Sequence, residues 1–326
     1  MEPSTSKTII CGNESSQLKE LMNEYFILKQ KNLGKNVLTD LHPSVRKRIC
    51  ALKNLQKDTI SLDAEFQRDV YKMEKSFQSR HDEIFKKRSD IINGNYEPQD
   101  NECYGDFKVE NTPAEGETIP QGIPNFWLTV LKNVSVIRPM IQEQDEQVLE
   151  NLIEIRALSE SSDNLTFTLE FHFKPNKFFK NSVLTKTYLM KCVPDEDDPF
   201  TFEGPEIFKS VGCAIMWNQG FNVTEKMCEN DKTQSIFKTD SFFNFFSPPD
   251  LNLHVNTPES DRIEEYLEND FEVGHYLKER VIPRAVLYYT GEIDDSISDD
   301  DDESMTNLME NFDQVKTEND EETDDD

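Results

Sequence analysis

From Val45 to Ile91 the chain carries neither Gly nor Pro. Across that stretch Leu55, Thr59, Leu62, Phe66, Val70, Met73, Phe77, His81, Ile84, Arg88 and Ile91 follow one another at steps of three and four. The steps average the ~3.6-residue period of an α-helix, which predicts one amphipathic helix with an apolar stripe. Val45, Ile49 and Leu52 extend the stripe upstream, and "NGNYEP", with Gly94 and Pro98, ends it. A helix of nearly 50 residues, filling most of a dimerisation segment at 39–95, is ~75 Å long at ~1.5 Å per residue, against ~8–20 residues for an ordinary globular helix. A compact domain built from the rest of the chain is too small to cover such a stripe. A homodimer is therefore expected, paired through Leu55, Leu62, Phe66, Val70, Met73, Phe77 and Ile84. The period of ~3.6 rather than 3.5, with Thr59, His81 and Arg88 as interruptions, argues against a regular heptad coiled coil.

Other patterns follow downstream. Residues 1–38 read as a polar, disordered start with a short helix over Leu18–Leu33, and 96–118 as a mobile insert. "IQEQDEQVLENLIEIRAL", Ile141 to Leu158, is predicted to be a helix. "LTFTLEFHF" alternates, with Leu165, Phe167, Leu169, Phe171 and Phe173 on one side and Thr166, Thr168, Glu170 and His172 on the other, as a strand does. "SVLTKTYLMKCV" reads as a second strand, "GCAIMWNQG" as a third and "FNVTEKM" as a fourth. Short turns between them predict antiparallel pairing, because parallel pairs need long crossovers. A helical region from Glu259 to Tyr289 is interrupted by Pro283. The class is α+β: a long dimer helix, then a body over 119–293 with a roughly four-stranded antiparallel sheet covered by helices.

Charge changes the picture of partners. The net charge is −29, and residues 294–326 alone hold sixteen Asp or Glu and one Lys, about half of it. Such a segment is predicted to be disordered. A chain this acidic repels nucleic acid and anionic lipid and favours basic proteins. Ser296 and Ser298 stand ahead of Asp clusters and are candidate sites for an acid-directed kinase. The N-terminus lacks the pattern of a secretory signal and no long apolar run is present, so an intracellular protein is expected.

Chemistry is sparse. The six cysteines form no CxxC pair, the five histidines are dispersed, and there is no phosphate-binding glycine loop and no nucleophile elbow. "DEDD", Asp195 to Asp198, reads as a solvated acidic loop rather than a metal cluster. Neither catalysis nor a cofactor is expected. "SFFNFFSPP", Ser241 to Pro249, puts four phenylalanines into five positions and reads as a structural lock inside the body.

"IPNFWLTVLKN", "DNLTFTLEFHFKPNKFFKNSVLTKTY", "DPFTFEGPEI", "GCAIMWNQGFNVT", "SFFNFFSPP" and "FEVGHYLKERVIPRAVLYYTGE" occur in that order, after "ALKNLQ" and "RSDIINGNYEP" on the long helix. With these motifs the chain resembles the nucleosome assembly proteins, a family of histone chaperones, over about 39–293. The resemblance implies a homodimer with antiparallel long helices, a dome-shaped body, core histones as partners, and shuttling between nucleus and cytoplasm with import receptors. It also implies histone contacts at Asp145, Glu146, Glu150 and Glu154, with Glu146, Glu150 and Glu154 sharing a helix face, and at tail residues Asp294, Asp295, Asp299, Asp300, Asp301, Asp302 and Glu303. Two departures stand out. The segment before "FFNFF" is short and carries only Lys226, Lys232 and Lys238, which weakens the import route used by relatives. Lys174, Lys177 and Lys180 stand where relatives commonly have acidic residues. The competing reading is an acidic adaptor or inhibitor of a non-histone target, such as a phosphatase or ribosomal protein.

Overall fold

The computed structural model describes residues 41–103, 119–159, 165–230, 233–249 and 258–293. The expectations for the N-terminal short helix, most of the insert and the acidic tail lie outside them. The long helix is present as α1, Pro43–Ile92, 50 residues without a break. It ends because Gly94 takes φ +67°, in the left-handed region that favours glycine. The chain returns to this point at Gly122, whose φ is +63°, and Ile123 N–H donates to Ile92 O at 2.8 Å. A Cβ on Gly122 would lie 2.1 Å from that same carbonyl oxygen, so both glycines are needed for the approach.

Two compact units divide the chain, one ending at Asp63 and including Pro194–Phe202, the other holding Ala64–Val193 and Glu203 onward. In the first, the Nζ atoms of Lys53 and Lys57 lie 5.6 and 5.9 Å from the Phe200 ring centre. The "DEDD" loop folds on itself there, Asp195 Oδ1 accepting from Asp197 N–H at 2.7 Å.

The second unit holds the sheet. Its four strands, β1 (Leu152–Ser159), β2 (Leu165–Phe173), β3 (Val183–Lys191) and β4 (Glu206–Val211), lie in sequence order and are antiparallel throughout. Four further helices belong to this unit: α2 (Phe126–Lys132), α3 (Glu143–Leu149), α4 (Pro258–Tyr276) and α5 (Ala285–Thr290), with a π-helical turn at Leu277–Val281. Gly274 of α4 sits where a Cβ would be 2.3 Å from the Tyr188 ring, and the Tyr188 hydroxyl donates to Asp270 O at 2.9 Å. Helix α4 therefore lies directly on β3.

Three expectations are corrected. The helix foreseen to Leu158 stops at Leu149. Asn151 Nδ2 donates to Gln147 O and Val148 O, and the following Leu-Ile-Glu-Ile run extends as the edge strand β1. "GCAIMWNQG" forms no third strand. Side-chain amides hold it instead: Asn181 bonds Ala214 O and Met216 N, and Asn218 bonds Lys177 O, leaving one bridge between Trp217 and Phe179. The fourth strand of the sheet is β4, "EIFKSV", and the residues after "FNVT" enter a separate ribbon of β5 (Glu225–Asn230) and β6 (Thr233–Lys238). Third, Thr166 and Thr168 are buried along with the apolar face of β2. The Tyr71 hydroxyl of α1 donates to Thr166 O, and the hydroxyls of Thr168 and Thr187 meet across the strands at 2.8 Å.

The apolar core gathers around "FFNFF", a 3₁₀ turn at Phe242–Phe246 with all four phenylalanines buried. Ser241 opens it, its hydroxyl accepting from Phe243 N–H at 3.1 Å. At three residues per turn, Phe242 lies over Phe245 and Phe243 near Phe246, with centroids 6.2 and 6.4 Å apart. Phe242, Phe245 and Phe246 surround Phe171, while Phe243 reaches Phe173, Phe179 and Trp217.

Candidate functional site

The acidic residues expected on one helix face are separated by the break after Leu149. Asp145 faces inward and is fully buried. Its Oδ2 accepts from Gln142 N–H at 2.9 Å and Phe242 N–H at 2.7 Å, and its Oδ1 accepts from the Ser241 hydroxyl at 2.6 Å. Asp145 thus caps α3 and ties it to the aromatic turn. Burial pushes its carboxyl above the ordinary value, against the pull of those three hydrogen bonds.

Glu154 lies on β1, not on a helix, and is buried opposite Arg88 of α1, whose Nη2 is 3.3 Å from its Oε1. Burial raises the Glu154 carboxyl and lowers Arg88, the mutual attraction opposing both shifts. Arg88 also donates to Ile282 O and lies 4.4 and 5.2 Å from the Phe85 and Trp127 ring centres. As placed in this chain, Asp145 and Glu154 hold the body together and are closed to a partner.

Glu146 and Glu150 do reach solvent. Glu146 is half-exposed, with Lys132 Nζ 2.7 Å from its Oε1, and Glu150 is exposed where α3 ends. The sequence reading missed Glu143, which is exposed in the first turn of α3. Glu143, Glu146 and Glu150 are spaced three and seven apart, one helix face, and that spacing was the available signal. The tail residues Asp294, Asp295, Asp299, Asp300, Asp301, Asp302 and Glu303, with Ser296 and Ser298, lie outside the described residues.

The second feature is the α1 stripe. Leu55, Leu62, Phe66, Met73 and Ile84 are each more than 60% exposed; Phe77 is 43% exposed and Val70 half-buried. The helix face turned to the body is largely polar. Arg68 donates to Cys192 O, Tyr71 to Thr166 O, Gln78 to Ala157 O and Asn93 to Ile153 O, with Ala64 and Ile92 buried beside them. Hydrogen bonds to backbone carbonyls fasten this part of α1 to the sheet, and the apolar stripe is left free. Among the described residues no cluster of His, Cys, Asp and Glu could hold a metal ion, and no helix is long and apolar enough to cross a membrane.

A long helix with an uncovered apolar stripe, bearing an antiparallel sheet closed by an aromatic turn, is an α+β class shared with solved structures. Nucleosome Assembly Protein 1 from Plasmodium knowlesi is 30% identical, covers 78% of this chain and all of its own, and superposes with a TM-score of 0.51. The sequence profile of the family described as Nucleosome assembly protein (NAP) matches residues 47–292. Nucleosome assembly protein 1-like 1 of Xenopus tropicalis is 45% identical over 285 residues, 79% of this chain and 71% of the relative. The human protein of the same description is 41% identical over 295 residues, 79% and 72% of the two chains. The chain belongs to the nucleosome assembly protein family.

Proposed function

We propose that this protein is a histone chaperone: a homodimer that takes up core histones on acidic surfaces, shields them from unspecific DNA contacts and releases them for nucleosome assembly. The observation that carries this reading is the family match across 47–292, with relatives that are named for nucleosome assembly. Charge supports it. A net −29, half of it in 294–326, suits a basic cargo. Histones bind DNA mainly through charge, so an acidic competitor with weaker contacts suppresses misplaced binding and yields to correctly wrapped DNA. Glu143, Glu146 and Glu150 offer a fixed acidic face on α3, and the tail adds affinity through charge density. Phosphorylation at Ser296 and Ser298 would raise that density further. Work on both sides of the nuclear envelope, with import receptors as transient partners, goes with this role.

The dimer rests on the exposed stripe of α1. Burial of its large side chains stabilises association by roughly 1.5–3 kcal/mol each before the costs of ordering are met. Titration of the protein with each kind of core-histone dimer separately, at several salt concentrations, tests the function. Affinity should fall as salt rises, and deletion of 294–326 should weaken binding and flatten its salt dependence. Affinity unchanged by salt across the physiological range, or capture experiments that recover no core histones, would favour the adaptor reading.

A further inference from the structure

From Phe171 to Pro194 the chain carries five lysines and no Asp or Glu, a basic island in a protein of net charge −29. Lys186 is buried against Asp270, and Lys191 pairs with Glu206 at 3.0 Å. Lys174, Lys177 and Lys180 stand exposed on the loop between β2 and β3. Among the described residues no carboxylate lies within ion-pair distance of these three.

The backbone that carries them is held in place. Lys174 N–H donates to Asn151 O at 2.9 Å and Lys180 N–H to Met216 O at 3.0 Å. Asn176 Oδ1 accepts from the N–H groups of Phe178 and Phe179 at 2.9 and 3.1 Å, and both rings are buried. A partner therefore meets little of the usual cost of ordering a loop. Apolar surface adjoins the lysines. Met216 is 53% and Phe221 38% exposed, and Lys177 Nζ lies 5.0 and 5.9 Å from the Phe178 and Phe221 ring centres. The patch suits a ligand that is acidic and also carries closely spaced apolar groups.

The chain itself supplies such a ligand. Asp299 to Glu303 are five consecutive acids. Met305, Leu308, Met309 and Phe312 follow at the i, i+3, i+4, i+7 spacing of one helix face, with Glu310 and Asp313 beside them. Glu303 is ten residues past Ile293, where the described body ends. At ~3.3 Å per residue it reaches ~33 Å from there, against a radius of gyration of ~16 Å for a compact body the size of 119–293.

We propose that residues 299–313 dock on the patch of Lys174, Lys177 and Lys180, the acids against the ammonium groups and Met305, Leu308, Met309 and Phe312 against Met216 and Phe221. Lys174 bonds the residue that follows Glu150, so the docked segment lies beside the acidic face of α3. There the tail holds back part of its own charge until a stronger base draws it off. The contact stands apart from the chaperone reading; only its release by histones rests on that reading.

Hydrogen exchange of the full chain at low ionic strength, read by mass spectrometry, tests the contact. The amides of 303–313 should exchange at least ~five-fold more slowly than in a Lys174→Gln, Lys177→Gln, Lys180→Gln variant. That variant should keep its melting temperature, because all three side chains are exposed. A Leu308→Ser, Phe312→Ser variant, its charge intact, should lose the protection too. A water-soluble carbodiimide should join Asp299 to Glu303 with Lys174, Lys177 or Lys180 in preference to the exposed Lys132 and Lys209. Equal exchange in the unmodified chain and the lysine variant, or cross-links spread evenly over these lysines, overturns the proposal. So does binding of an oligothymidylate by the full chain that the lysine variant loses, which assigns the patch to nucleic acid. Protection that survives saturation with core-histone dimer leaves the docking in place and removes its release by cargo.

Discussion

The aromatic turn at Phe242–Phe246 and the stripe on α1 are comparably apolar, yet their fates differ. The turn loses all four phenylalanine rings into its own chain, while Leu62, Phe66 and Met73 stay open to solvent. Hydrophobicity does not separate them; the number of faces does. The turn is enclosed by β2, the Trp217 segment and the buried Asp145, whereas α1 spends its hydrogen-bonding face on the body. An apolar residue in the turn should therefore matter to folding, and one in the stripe to association.

Substitutions can break that contrast. Phe243→Ala removes a ring packed against Phe173, Phe179 and Trp217 and should cost about 3–5 kcal/mol in urea unfolding. Lys186→Met should cost about as much. Its ammonium is fully buried on β3 and bonds Asp270 Oδ1 at 2.8 Å and Phe245 O at 2.7 Å, so its loss strands a carboxylate. Adding Asp270→Leu should recover most of the loss; no recovery would mean that packing, not the stranded charge, carries the effect.

Asp145→Asn leaves an amide facing N–H donors and should cost about 1–3 kcal/mol near neutral pH. Its pH dependence has a definite sign. Burial raises the Asp145 carboxyl in the folded chain above its ordinary value of 3.8, so ionisation opposes folding there. The stability it contributes is full below 3.8 and declines as pH rises through the raised value. The gap in melting temperature between wild type and Asp145→Asn should therefore narrow as pH rises through that range. A widening gap would mean that the hydrogen bonds, not burial, dominate. Phe66→Ala should change the unfolding free energy of the dissociated protomer by less than ~0.5 kcal/mol and weaken the dimer by about ten-fold or more in sedimentation equilibrium. The smallest effect belongs to Glu146→Gln. Its pair with Lys132 is exposed and contributes below ~1 kcal/mol, so histone affinity is the quantity to read.

The long helix was legible because one period persists over its whole length, and β2 and β3 because alternation does. What escaped was every polar group that the fold turns inward. Lys186 alternates with Leu184 and Tyr188 on the side of β3 that is buried, a charged residue where the pattern of its neighbours is apolar. Glu154 looked like the third member of an acidic helix face. Asn151 ends that helix, and a register shift between Leu152 and Glu154 turns Leu152 and Ile155 into the core while Glu154 meets Arg88. Arg88 itself, an interruption of the stripe in the sequence, is the helix's anchor to Ile282. Polar pattern marks exposure only where no partner of opposite charge waits inside, and a single sequence does not name that partner.

The meeting of Gly94 with Gly122 has one more consequence. The chain departs from the end of α1 and comes back to the same place, where Ile123 N–H closes on Ile92 O. Everything between is a detour with a fixed gate. Doubling the length of such a detour adds only ~0.6 kcal/mol of closure entropy. Up to Glu102, which pairs with Lys87 of α1, the segment is tied to the helix; beyond that point a longer insertion carries only this small entropic cost, which makes it the place to splice in a reporter.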